Sequence, residues 1–252
     1  MNLLGALLAL TLASTGIQLP PVGVADYQLG GAYPPAADVQ VVARDSTDKP
    51  APGLYNICYI NGFQSQPGTH WPANLLVRKN GKPIVDPGWP DEHIFDISTR
   101  ANRAKLVARL TPTIRGCARN GFQAVEFDNL DSYTRSHHAF GSKAAIAFAT
   151  SLVRVAHASG LAAAQKNTID LAKVGKSKIG FDFAITEQCV RYRECAGFTR
   201  VYGQHVIDIE YTDDLPTPFA NVCASTARPT SVMLRDHDLV PAGKKQHVNE
   251  HC

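Results

Sequence analysis

Apolar and polar positions alternate along most of this chain in two periods. Short runs rich in Val, Ile, Phe and Tyr, of strand length, recur between longer stretches with helical spacing, the rhythm of a parallel sheet with crossover helices. Strands are expected near Tyr27-Leu29, Val39-Val42, Tyr55-Ile60, Ala124-Phe127, Ala162-Gln165, Phe181-Ile185, Val206-Ile209 and Val232-Leu234. Eight such runs are the number a closed (β/α)8 barrel of the TIM type requires. Helices are expected over Thr99–Asn120, Lys143–Ser159, Ile169–Lys176 and Tyr192–Tyr202. In the second of these, Ile146, Ala149, Val153 and Ala156 recur on one face. Gly121 and Gly160 stand between a helix and the next strand, where a left-handed residue ends a helix well. The first two strands are joined by the Gly/Pro-rich turn Gly30–Pro35, with no room for a helix, so the barrel should be irregular at its start. A long loop, Gln64–Ile94, carries both tryptophans, Trp71 and Trp89, and is placed to cover a cleft.

The polar chemistry falls where strands end. Polar side chains at the C-terminal ends of barrel strands face the site, whereas strand interiors should be apolar. The fourth strand finishes Val125-Glu126-Phe127-Asp128-Asn129-Leu130-Asp131, and period two sets Glu126 and Asp128 on one face. Two carboxylates on one interior face need a role or a compensating cation. The fifth strand ends Gln165-Lys166-Asn167, the sixth Thr186-Glu187-Gln188, the seventh Glu210-Tyr211, and the eighth Arg235-Asp236. Asp128, Lys166, Glu187, Glu210 and Asp236 are therefore expected around one mouth. A carboxylate-rich mouth with one lysine and a tryptophan-bearing loop suits glycosidic hydrolysis, in which one carboxylic acid protonates the leaving oxygen and another acts as nucleophile or base. Asp128 and Glu187 are the expected pair. Glu126 is expected as a supporting carboxylate with Lys166 as its partner, and Glu210 as a ligand of sugar hydroxyls. The other reading in view is a barrel that binds carbohydrate without cleaving it.

Composition narrows the setting. The 252 residues include 44% hydrophobic and 19% charged, ordinary for one globular domain. A formal charge of +3, with basic residues scattered, does not suggest nucleic acid. Met1 to Leu12 carries no charge, and Leu3–Leu12 is apolar and too short to span a bilayer. Residues 1–25 are therefore expected to be a signal peptide and pro-region, and 26–252 a single secreted, monomeric domain with no membrane span. The six cysteines contain no C-x-x-C pair and read as a disulfide framework. Proximity joins Cys189 to Cys195 and Cys223 to Cys252, and leaves Cys58 with Cys117. Motifs for serine hydrolases, zincins and nucleotide binding are absent, so no cofactor or metal is expected. The residues after Asp236 read as a polar surface tail.

Taken in order, Tyr27-Gln28-Leu29-Gly30-Gly31, Ile57-Cys58-Tyr59-Ile60, Trp89-Pro90-x-Glu92 with Asp96-Ile97, Glu126-x-Asp128-Asn129-x-Asp131, Lys166-Asn167, Phe181-Asp182-Phe183-Ala184, Glu187-Gln188-Cys189, Glu194-Cys195 and Glu210-Tyr211 resemble glycoside hydrolase family 114. Its members are similar to endo-α-1,4-polygalactosaminidases. The resemblance implies a (β/α)8 barrel acting on a galactosamine- or galactose-containing polysaccharide. It implies that Asp128 and Glu187 are the catalytic pair; analogy with barrel α-glycosidases makes Asp128 the nucleophile and Glu187 the acid/base, and Glu126, Asp131, Lys166, Asn167, Glu210, Tyr211, Tyr59 and Trp89 are expected around the substrate. The segment Asn61-Gly62-Phe63-Gln64-Ser65-Gln66 departs from the family pattern at substrate-facing positions, so the barrel and its carboxylate pair carry over more directly than the sugar specificity.

Overall fold

The computed structural model describes residues 16–252. The expected apolar signal stretch Leu3–Leu12 lies outside the described residues. Eight parallel strands follow one another around the sheet in chain order: β1 (Ala25–Gln28), β2 (Val41–Asp45), β3 (Tyr55–Asn61), β4 (Ala124–Asp128), β5 (Ala162–Lys166), β6 (Phe183–Glu187), β7 (Val206–Tyr211) and β8 (Ser231–Arg235). Each coincides with an expected run, displaced by at most a few residues. The expected (β/α)8-type barrel is therefore present.

Period two divides every strand into two faces. Tyr27, Val41, Ala43, Tyr55, Ile57, Ala124, Ala162, Ala164, Phe183, Ile185, Ile207, Ile209, Tyr211 and Met233 pack together inside the barrel. Cys58, Ile60, Val125, Phe127 and Ala163 face outward into a second core with the helices. Helix α1 (Arg100–Asn120) starts where the Thr99 side chain accepts a hydrogen bond from the Asn102 amide, and it ends at Gly121, whose φ of 95° is left-handed. It buries Leu106, Leu110, Ile114 and Cys117, spaced three or four residues apart, and α2 (Ser142–Ala158) buries Phe148, Ala149, Leu152, Val153 and Ala156 beside it. The Ile169–Ile179 stretch is a mixed helical run ending at left-handed Gly180, and the fourth expected helix shortens to Cys195–Tyr202. The three expected disulfides, Cys58–Cys117, Cys189–Cys195 and Cys223–Cys252, are all formed, and the first ties β3 to α1.

The C-terminal residues correct one expectation. Rather than a surface tail without secondary structure, Asn249–His251 forms β9, antiparallel to β8 on its free edge. Both carboxylate oxygens of Asp236 accept backbone amides of the returning chain, Val240 at 2.8 Å and Val248 at 3.1 Å. With β9 on that edge, β8 does not ladder directly onto β1. Instead the fully buried Arg235 of β8 donates to the Tyr27 carbonyl and sits 3.4 Å from the Asp26 carboxylate, so one guanidinium bridges the seam. Among the described residues no helix is long and apolar enough to cross a membrane.

Candidate active site

The interior faces of β4, β5, β6 and β7 deliver their last residues to the C-terminal mouth. Asp128 is in phase with Ala124, Lys166 with Ala162 and Ala164, Glu187 with Phe183 and Ile185, and Tyr211 with Ile207 and Ile209. The chain leaves these ends sharply, because Asn129, Asn167, Thr168 and Gln188 all take left-handed φ between 48° and 65°. Such backbone is unfavourable for residues with a Cβ, above all β-branched Thr168, and it gathers where side chains are aimed at a site.

Lys166, whose side chain is 1% exposed, stands at the centre. Its Nζ lies 3.7 Å from Asp128 Oδ2 and 3.5 Å from Glu187 Oε2, and donates to the Tyr27 hydroxyl at 2.8 Å. These two carboxylate oxygens reach the same ammonium, so they are at most about 7 Å apart, short of the upper end of the roughly 5 to 9.5 Å spanned by the carboxyl pairs of retaining and inverting glycosidases. Asp128 is oriented through both oxygens, accepting from the Tyr59 hydroxyl at 2.9 Å and from the Asn129 amide at 2.7 Å. Glu187 accepts from the Tyr211 hydroxyl and, at 3.1 Å, from Asn167 Nδ2, while its own amide donates to Asn167 Oδ1 at 2.7 Å. Burial pushes the Glu187 carboxyl up, but Lys166, Tyr211 and Asn167 together outweigh it and hold the group below its ordinary range. Lys166 is held firmly protonated: the three carboxylates around it outweigh the burial that would lower its pKa.

Glu126 lies one interior layer deeper, with no exposure. It accepts from the Tyr27 hydroxyl at 2.6 Å, so Tyr27 links it to Lys166. Burial raises its carboxyl to about 7 although Lys166 and Tyr27 pull the other way. It supports the site from below and does not line the cleft. Burial also raises the hydroxyls of Tyr27, Tyr59 and Tyr211 and keeps them neutral donors.

Above this layer the cleft has two lobes, of about 400 and 260 Å³, which share Trp89, Asp128, Asn129, Lys166 and Glu187. Trp89, 60% exposed, stands at the junction of the lobes, as expected of a cleft aromatic. Trp71 instead packs against Phe95 beneath Arg109. Asp131 borders the smaller lobe, where Arg135 pairs with it at 2.7 Å and with Asp86 at 2.6 Å. The larger lobe is acidic. Besides Asp128 and Glu187 it is lined by Asp45, Glu92 and Asp238, and among the described residues its single Lys or Arg is the Lys166 already shared by the pair.

Two expected members of the mouth are elsewhere. Glu210 is out of phase with Tyr211 and so points to the outer face of β7, where its Oε1 accepts the Val190 amide at 2.8 Å beside buried Asp208. Asp236 follows the strand end and organises the C-terminal turn. In contrast, Tyr27, Asp45 and Asn61 had a signal that strand-end reading passed over, since each is in phase with interior neighbours on its own strand. Glu92 comes from the covering loop, where no periodicity marks it.

A barrel of this kind, with two oriented carboxyls over its C-terminal mouth, has the layout that glycosidic hydrolysis uses. The model of glycoside-hydrolase family GH114 matches residues 8–252, and the chain belongs to that family. No curated protein matches the chain in sequence. Among solved structures, Aspergillus fumigatus Ega3 in complex with galactosamine is similar at 19% identity over 95% of this chain and 99% of that one, with a TM-score of 0.73. The glycoside hydrolase domain of PelA from Pseudomonas aeruginosa is similar at 16% identity over 89% and 98%, with a TM-score of 0.60. At these identities the likeness is one of fold.

Proposed function

We propose that this glycosidase is secreted and cleaves α-linked galactosamine-containing polysaccharide, with Asp128 as nucleophile and Glu187 as acid/base. The observation that carries the reading is the cleft itself: carboxylates outnumber cations in its larger lobe, on a chain whose overall charge is positive. Such a lobe concentrates a cationic amino-sugar polymer. Ega3, similar in fold, is a structure with galactosamine bound. In the proposed reaction an Asp128 oxygen attacks the anomeric carbon as the glycosidic bond breaks, and Glu187 gives its proton to the departing oxygen. Water then donates a proton to Glu187 and displaces Asp128, regenerating both groups. Asp128 suits attack because Tyr59 and Asn129 fix both of its oxygens. Glu187 is depressed by Lys166 in the free site, so its protonated form, and hence the reaction, belongs to acidic pH. Three disulfides and the uncharged apolar N-terminus support the secreted setting.

The test is product analysis after incubation with purified polymers of galactosamine, galactose and glucosamine. Oligosaccharide release from the galactosamine polymer is the expected result. Cleavage confined to another polymer would overturn the substrate, and cleavage of none would overturn the activity.

A further inference from the structure

Glu92 enters the larger lobe from the covering loop and differs from the other carboxylates there. Asp45 has both oxygens occupied, one by Thr47 and one by Gln66, and Asp238 is exposed to solvent. Glu92 is only 9% exposed, yet it has a single hydrogen-bond donor, Asn61 Nδ2 on Oε2 at 2.7 Å. Among the described residues its other oxygen has no partner, and no cation lies within ion-pairing distance. Asn61 is fixed in turn by Asn129, the residue after Asp128, whose Nδ2 donates to Asn61 Oδ1 at 3.0 Å. The carboxyl is thus held rigidly beside the attacking group, with one acceptor left open toward the lobe.

We propose that Glu92 is the specificity-determining acceptor for the ammonium group of an amino sugar bound in the larger lobe. This rests on the substrate class proposed above and adds the residue that reads the amine. A buried carboxylate with an open lone pair gains a charge-assisted hydrogen bond from an ammonium, whereas a neutral hydroxyl or acetamido group leaves its charge uncompensated. A hydroxyl sugar is therefore disfavoured at the same position.

The proton on Glu92 gives the inference a signature. Burial raises its carboxyl to about 7, Asn61 opposing and Asp128 and Asp86 reinforcing, with Arg135 a further opposing charge. Tyr59 of β3 faces the same space as a neutral hydroxyl. An arriving ammonium stabilises the ionised form, so binding below pH 7 must expel a proton. Affinity for galactosamine should then rise about tenfold from pH 5.5 to 7, while the amine stays cationic, and affinity for galactose should not rise.

The experiment is calorimetric titration of the full chain with galactosamine and with galactose at pH 5.5, 6.2 and 7, in two buffers of different ionisation heat. The wild type is expected to prefer galactosamine and to release protons on binding it. Glu92→Gln is expected to lose about tenfold affinity for galactosamine at pH 7, and to lose the pH slope, with galactose bound no more weakly than by wild type. If the wild type shows no preference for galactosamine over galactose, the substrate reading falls and this assignment with it. If the preference is present but wild-type binding releases no proton, or if Glu92→Gln keeps the same preference and slope, Glu92 is not the acceptor and the substrate reading stands. The proton-release measurement needs no variant, so a folding defect in Glu92→Gln cannot shelter the assignment.

Discussion

Replacing Glu126 by Gln should make the protein more stable at neutral and alkaline pH. The Glu126 carboxyl is unexposed and raised to about 7 from an ordinary 4.5. Between those values the folded state binds a proton that the unfolded state releases, so folding stability declines as pH rises through this window and levels off above 7. At roughly 1.4 kcal/mol per pKa unit, the full cost above pH 7 is about 3 kcal/mol. Gln keeps the acceptor for Tyr27 and cannot ionise. The second oxygen, Oε2, has no partner, so an amide there replaces one unpaired buried group by another and is near neutral at acidic pH. Thermal or urea denaturation of both proteins at pH 4.5 and pH 8 measures the difference. The variant should match wild type at pH 4.5 and exceed it at pH 8 by about 3 kcal/mol, roughly 6 to 12 °C in melting temperature for a domain of this size. Parallel pH–stability curves, or a variant less stable at pH 8, would show that Glu126 does not carry the buried proton.

Other outcomes follow from the same geometry. Lys166→Met removes the cation that depresses Glu187, so the alkaline limb of the pH profile of kcat/KM should move up by roughly 1 to 3 units, and an unmoved limb would remove Glu187 as the acid. Tyr211→Phe deletes a donor to the Glu187 carboxylate and should lower kcat/KM at the acidic optimum on the order of tenfold, read from polymer cleavage, with the fold intact by circular dichroism. Glu210→Gln lies on the outer face of β7 and should leave kcat and KM within about twofold. It should raise stability at pH 8, because the Glu210 carboxyl is itself raised, chiefly by burial.

The barrel was legible in the sequence because parallel strands buried on both faces are read from short apolar runs, and these runs need only be counted and bounded. Asp128, Lys166 and Glu187 were legible for a further reason: each is polar where its strand's interior phase demands an apolar residue. Glu210 was misplaced because strand-end position was read without phase, and a shift of one residue exchanges inside for outside. Tyr211, one residue on, has the interior position. The C-terminal strand escaped because Asn249–His251 is polar and short, and its pairing is fixed by Asp236, Arg235 and the Cys223–Cys252 bridge rather than by hydrophobic pattern. Glu92 escaped because a loop has no period against which a carboxylate stands out.

The central claim is that Asp128 and Glu187 act together on one glycosidic bond. Asp128→Asn and Glu187→Gln, each shown to be folded by its melting temperature, should be assayed separately for oligosaccharide release from a galactosamine polymer at the acidic optimum. Each is expected to lose at least about a hundredfold in kcat, the low end of what general acid–base catalysis contributes. Either variant cleaving at a rate near wild type would contradict the account.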